Sequence, residues 1–172
     1  MKRSFFLFSL FFFIFSSNIY AQSYEKMWNN ISEFQKIGLP QSVVDQAYKI
    51  FQKACKEKNS PQIVKSFLTA MQYREEISPD SLNVDIVSLE NLARESQMID
   101  ERSLLYTILA KITSISKPDN AVVYVRMAMI DAPKMSEQSY DRYKSIINSG
   151  KISEKYFKNN LLHIIANINL NT

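Results

Sequence analysis

The stretch from Gln41 to Glu76 constrains the fold most, because it holds two apolar stripes at helical period separated by a break at Asn59-Ser60-Pro61. Val43, Ala47, Ile50, Phe51 and Ala54 recur at i, i+4, i+7, i+8 and i+11, on one face of a helix. Val64, Phe67, Leu68 and Met71 repeat the pattern beyond the break. Asn59 and Ser60 offer cap oxygens, and Pro61 takes a first-turn position where no amide hydrogen bond is lost. Neither helix can bury its stripe alone, so the pair must close on itself and on its neighbours. Phe51 and Phe67 are predicted to meet across the turn.

The same grammar recurs along the chain. Tyr24, Met27, Trp28, Ile31 and Phe34 predict a first helix that ends at Ile37-Gly38-Leu39-Pro40, with Gly38 as left-handed cap and Pro40 as stop. After Ile77-Ser78-Pro79-Asp80, the residues Leu82, Ile86, Leu89, Leu92 and Ala93 predict another. Leu105, Ile108, Leu109 and Ile112 predict a fifth, from about Glu101 to Ser114. Ala121 to Ile130 is β-branched at its start and reads as a strand on propensity. A lone strand has no partner in a chain this helical, so the segment is predicted to be helix. Tyr140, Tyr143, Ile146 and Ile147 predict a short helix before Gly150, and Phe157, Leu161, Ile164, Ile165 and Ile168 a last one.

Helix starts spaced by about twenty residues, taken two at a time, give a repeat of roughly 34 to 40, the range of helical-repeat arrays. Ala47, Phe51 and Ala54 match the small–large–small spacing of a tetratricopeptide second helix. The expected fold class is all-α: stacked antiparallel helical hairpins in a tetratricopeptide-like, right-handed helical array. No low-complexity linker divides the chain, so residues 22–172 are expected to form a single helical-repeat-like domain.

Residues 1–21 are expected to be a signal peptide instead. Lys2 and Arg3 precede an eleven-residue apolar core, Phe5 to Phe15, and Ile19-Tyr20-Ala21 offers a cleavage site before Gln22. The core is short for a membrane span, which needs about 20 apolar residues. No cysteine stands at the cleavage point to take a lipid. The expected localisation is export to the periplasm or the extracellular side of the cell envelope. Without Lys2 and Arg3, 19 of the 21 basic side chains remain against 17 acidic ones, a net of +2. Charges of both signs are interspersed with no phosphate-tracking stripe, so nucleic acid is not an expected partner.

The residues give no catalytic signature. Two glycines in the whole chain, Gly38 and Gly150, cannot build a phosphate-cradling loop. The one histidine, His163, sits between Leu162 and Ile164 with no carboxylate, cysteine or second histidine at helical spacing to make it a catalyst or ligand. The one cysteine, Cys55, follows Ala54 and is expected to be a small buried hydrophobe. Glu75-Glu76 and Asp100-Glu101 read as solvated carboxylates at helix boundaries. No catalytic residue, cofactor, metal or small-molecule substrate is expected.

Three clusters carry a family resemblance: Tyr24-Glu25-Lys26-Met27-Trp28, Lys36-Ile37-Gly38-Leu39-Pro40-Gln41-Ser42, and Lys56-Glu57-Lys58-Asn59-Ser60-Pro61-Gln62. They resemble the start of the large secreted bacterial proteins of the alpha-2-macroglobulin family, where a helical, repeat-like segment precedes macroglobulin β-sandwich domains. Ser103 to Ala110 looks like a later helix of that segment, and Tyr143-Lys144, Gly150-Lys151 and Ser153-Glu154-Lys155 like its close. Asn159-Asn160 and His163 depart from the family pattern, and the stretch between Ile112 and Met135 looks shortened. The sequence holds no macroglobulin domain and no thioester motif, so protease trapping does not carry over. The resemblance implies a non-catalytic interaction module of the envelope, whose partner is an envelope protein, with a macroglobulin-like protein among the candidates. The alternatives are a truncated, non-functional copy of such a protein or a cryptic envelope enzyme. Ile165 and Ile168, on the outer side of the last apolar stripe, are the expected partner contacts, since contiguous exposed apolar surface marks a partner site. An ordinary terminal helix covering the end of the stack is the competing expectation.

Overall fold

Helix follows helix through the computed structural model, which describes residues 23–135 together with Arg142 and Tyr143. We label them α1 (Tyr24–Lys36), α2 (Pro40–Glu57), α3 (Ser60–Ile77), α4 (Ser81–Glu95), α5 (Ile99–Thr113) and α6 (Pro118–Asp131), with a 3₁₀ turn at Ala132–Lys134. No strand occurs among the described residues, and Ala121–Ile130 is helical within α6. The chain is therefore an all-α array in which successive helices pack on one another, most extensively α2 on α3 and α5 on α6. The segments 1–22 and 153–170, with His163, Ile165 and Ile168, lie outside the described residues.

Local chemistry accounts for the helix boundaries. Ser23 Oγ accepts from the Lys26 amide at 3.3 Å, and Asn59 Oδ1 from the Gln62 amide at 3.4 Å, each relieving an orphan donor of a first turn. The Leu39 amide donates to Phe34 O at 3.0 Å and the Gly38 amide to Gln35 O at 3.2 Å, the paired bonds of a Schellman ending. That ending requires the positive φ of +68° at Gly38, as expected. Pro40 does not act as a stop; it opens α2, where its missing amide hydrogen costs nothing.

The end of α2 repeats the same bonds with a residue less suited to them. Asn59 N donates to Ala54 O at 2.9 Å and Lys58 N to Cys55 O at 3.3 Å. The left-handed position falls on Lys58, with φ 54°. A side chain there costs about 1–2 kcal/mol, partly offset by the extra backbone entropy that glycine loses on folding. Lys58→Gly is accordingly expected to stabilise the protein by about 0.5–1 kcal/mol in urea titration. A destabilised Lys58→Gly protein would show that the lysine side chain contributes more than its strained backbone costs.

The α2–α3 hairpin sits between two cores. On one side Val43, Ala47, Ile50 and Ala70 pack with Met27 and Ile31 of α1. On the other, Val64, Phe67 and Met71 pack with Ile86 and Leu89 of α4, Leu105 and Leu109 of α5, and Tyr124 of α6. Ala47, Ala54, Ala93, Ala110, Ala121 and Ala128 are all fully buried, and such small residues let helix axes approach closely. Phe51 and Phe67 meet as predicted, with ring centroids 5.8 Å apart and tilted by 58°. Phe51 itself is only half-buried, at the rim of the larger core.

Helices two apart in the chain also meet. Trp28 Nε1 of α1 donates to Gln62 Oε1 of α3 at 2.7 Å. Lys117 Nζ, at the foot of α6, donates to Asn83 Oδ1 of α4 at 2.9 Å, and Tyr124 OH donates to Glu90. Each of these three pairs is separated by 34 residues.

Candidate functional site

The polar side chains converge on the start of α5. Ser96-Gln97-Met98 links α4 to α5, and Ser96 Oγ accepts from the Met98 amide at 3.3 Å. No side chain caps α5; its first turn holds Asp100 and Glu101, whose negative charge suits the positive end of the helix dipole. Both are buried, at 3% and 6% exposure, which corrects the expectation of solvated carboxylates. The reason is topological: the chain returns after α6 and sets Arg142 and Tyr143 over this end of the helix. Arg142 Nη1 lies 2.5 Å from Asp100 Oδ2. Tyr143, fully buried, shares a 2.5 Å hydrogen bond with Ser60 Oγ at the start of α3. Ser60 therefore does not cap α3; Asn59 does. Glu75 and Glu76 are exposed, as expected.

Beside this cluster Arg102 ties three elements together. Its Nε donates to Asp131 Oδ2 at 2.6 Å, at the end of α6, and its Nη1 donates to Ser96 O at 2.9 Å. The Arg102 hydrogen bond holds the Asp131 carboxyl below the usual carboxylate range despite its burial, with Lys134 at 3.5 Å adding to the pull. A second buried carboxylate behaves the other way. Asp85 of α4 has no exposed surface, and although Arg74 Nη2 of α3 stands 2.8 Å away, burial pushes its pKa up. Asp131 thus favours the folded state above the carboxylate range and loses that contribution on acidification. Asp85 has the opposite sign: its ionisation opposes folding as pH rises through the same range.

A cleft of about 280 Å³ opens between the end of α2, the start of α3 and the α4–α5 link, lined by Cys55, Lys58, Ile63, Ser96, Gln97, Met98 and Glu101. Cys55 is exposed at this cleft and not buried, because one residue beyond Ala54 the helix has turned its side chain away from the core. Partial desolvation, and then the nearby Glu101 carboxylate, push its thiol pKa up. A carboxylate that keeps the proton on sulfur is the reverse of what a nucleophilic cysteine needs. Among the described residues no three His, Cys, Asp or Glu side chains stand together as a metal site. Nor is any described helix long and apolar enough to cross a membrane.

Sequence reasoning missed Asp85, Arg102, Asp131, Arg142 and the Ser60–Tyr143 bond. A signal existed for two of them: Asp85 is in helical register with Leu82, Leu89 and Leu92, and Asp131 with Tyr124 and Ala128. A carboxylate in line with an apolar stripe has to find a cation inside. Ile165 and Ile168, the expected partner contacts, lie outside the described residues. Protein-family models, curated proteins and solved structures yield no match to this chain.

Proposed function

We propose that the chain is an exported, non-catalytic helical interaction module of the cell envelope, resembling the N-terminal segment of bacterial alpha-2-macroglobulin-like proteins. The observation that carries this reading is the 34-residue offset of the bonds Trp28–Gln62, Asn83–Lys117 and Glu90–Tyr124. That offset equals the tetratricopeptide period and supports a right-handed array of that kind. Stacked units of this sort present long surfaces to protein partners. The carboxylates of the cluster serve the same reading: Asp100, Asp131 and Asp85 each face an arginine from another element, so they fix helices in place. The basic n-region and apolar core of residues 5–15 support export, and the partner is an envelope protein, with a macroglobulin-like protein among the candidates.

The test is capture from native envelope, scored against purified candidate partners. Mature protein is expected to begin at Gln22; intact Met1 on exported material would refute cleavage there, and protein confined to the cytoplasm would refute export. Substituting Asp at Ile165 and Ile168 is expected to leave the melting temperature unchanged and to abolish capture. Loss of stability would instead assign both residues to the core, and unchanged capture would remove them from the interface.

A further inference from the structure

The three aspartates buried in the described residues each have an arginine at ion-pair distance: Asp85 with Arg74, Asp131 with Arg102 and Asp100 with Arg142. Glu101 is buried to nearly the same degree, 6% exposed, yet among the described residues its carboxylate has no hydrogen-bond or ion-pair partner. It lines the cleft beside α5. Unlike the Asp85 oxygens, those of Glu101 are not sealed off from the surface, so they open on the cleft, where no described arginine or lysine neutralises them and a cation can reach them. One carboxylate beside a protonated thiol is a poor ligand set for a metal, whereas it suits an organic cation. The remaining walls match an alkyl stem, with Ile63 and Met98 facing the same space. At about 280 Å³ the cleft falls below the roughly 300–1,000 Å³ of sites for drug-sized ligands. That volume suits a single long side chain. The one cation on the rim, Lys58, is exposed at the strained end of α2 and makes no ion pair with Glu101.

We propose that this cleft receives the ammonium or guanidinium head of a lysine or arginine side chain from a protein partner, with Glu101 as counter-ion and Ile63 and Met98 against the stem. The inference rests on the interaction-module reading and names the partner chemistry at one point of its surface.

Cys55 is the only cysteine in the sequence and lines the cleft, so its alkylation rate reports occupancy. The probes are the N-acetyl methylamides of lysine, arginine and norleucine, with 1,5-diaminopentane as a free amine, all at millimolar concentration on the purified protein. The lysine and arginine probes are expected to slow alkylation and shift the Met98 methyl resonance, and the norleucine probe to do neither. Glu101→Gln should weaken both effects at least tenfold, while Lys58→Met, which removes the rim cation, should leave them intact or strengthen them. Equal protection by lysine and norleucine probes would overturn the proposal. So would protection that survives Glu101→Gln, or a diamine bound tenfold more tightly than the capped lysine, which would make the ligand a free small amine. If Glu101→Gln does not fold, the lysine–norleucine contrast on the wild-type chain decides. An envelope partner captured equally by wild type and Glu101→Gln would overturn this site and leave the interaction-module reading standing. Probe binding without any partner would do the reverse.

Discussion

Phe67→Ala is expected to lower the unfolding free energy by about 3–5 kcal/mol, the usual cost of removing a buried aromatic ring. Phe67 is 8% exposed and belongs to the larger core, between Val64 and Met71 of its own helix and the α4–α5 layer. Its ring meets Phe51 at 5.8 Å, so truncation also strands the partner ring on the α2 side. Against a total of roughly 5–15 kcal/mol for a domain, this is enough to lower the melting temperature by many degrees. Phe51→Ala should cost less, about 2 kcal/mol, because that ring is only partly buried at the rim of the core. The double variant measures the pair itself, expected at about 0.5–1.5 kcal/mol of coupling. A Phe67→Ala protein that melts with the wild type would mean that α2 and α3 are not held together by this contact.

The helices were legible because their apolar stripes are dense and their ends are punctuated. Gly38, Asn59 and Pro61 each announce a boundary through a conformation or a capping group that few other residues supply as well. Lys58 announces nothing, since no sequence rule assigns a lysine to the left-handed region. It takes that position because Asn59 and Ser60 immediately after it must begin α3. The segment Ala121–Ile130 reads ambiguously for a physical reason. Tyr124, Val125 and Ala128 face the core, but Val123, Met127 and Ile130 stand exposed on the other side, so the apolar pattern has no clean helical period.

The polar cluster was much less legible. Asp100 and Glu101 occupy a helix start, where acidic residues are ordinary on any solvated surface. The cation that meets Asp100 comes from Arg142, 42 residues further along the chain. Periodicity within one helix carries no information about such a distance. Asp85 is the exception, since its register with the leucines of α4 is enough by itself to place a charge among apolar neighbours.

That register makes Arg74 a sensitive position, because it is the cation that faces the buried Asp85. Arg74→Met is expected to cost about 3–5 kcal/mol at neutral pH, because it leaves the Asp85 carboxylate buried with no counter-ion. Loss of side-chain packing would contribute little, since methionine keeps most of the arginine stem. The pH dependence separates the two causes. In the wild type burial already holds the Asp85 pKa above its ordinary value, against the pull of Arg74. Removing the arginine raises it further, so the folded variant takes up a proton that the unfolded chain does not hold. Stability of Arg74→Met relative to wild type should therefore recover as pH falls from neutral into the carboxylate range. A penalty that stays constant across that range would show that packing, not charge, was lost. Asp85→Leu on the Arg74→Met background removes the stranded charge and should restore most of the stability, since a buried ion pair replaced by apolar side chains of similar volume is often neutral or better. If the double variant is no more stable than Arg74→Met alone, the pair is not the clasp between α3 and α4 that its 2.8 Å contact indicates.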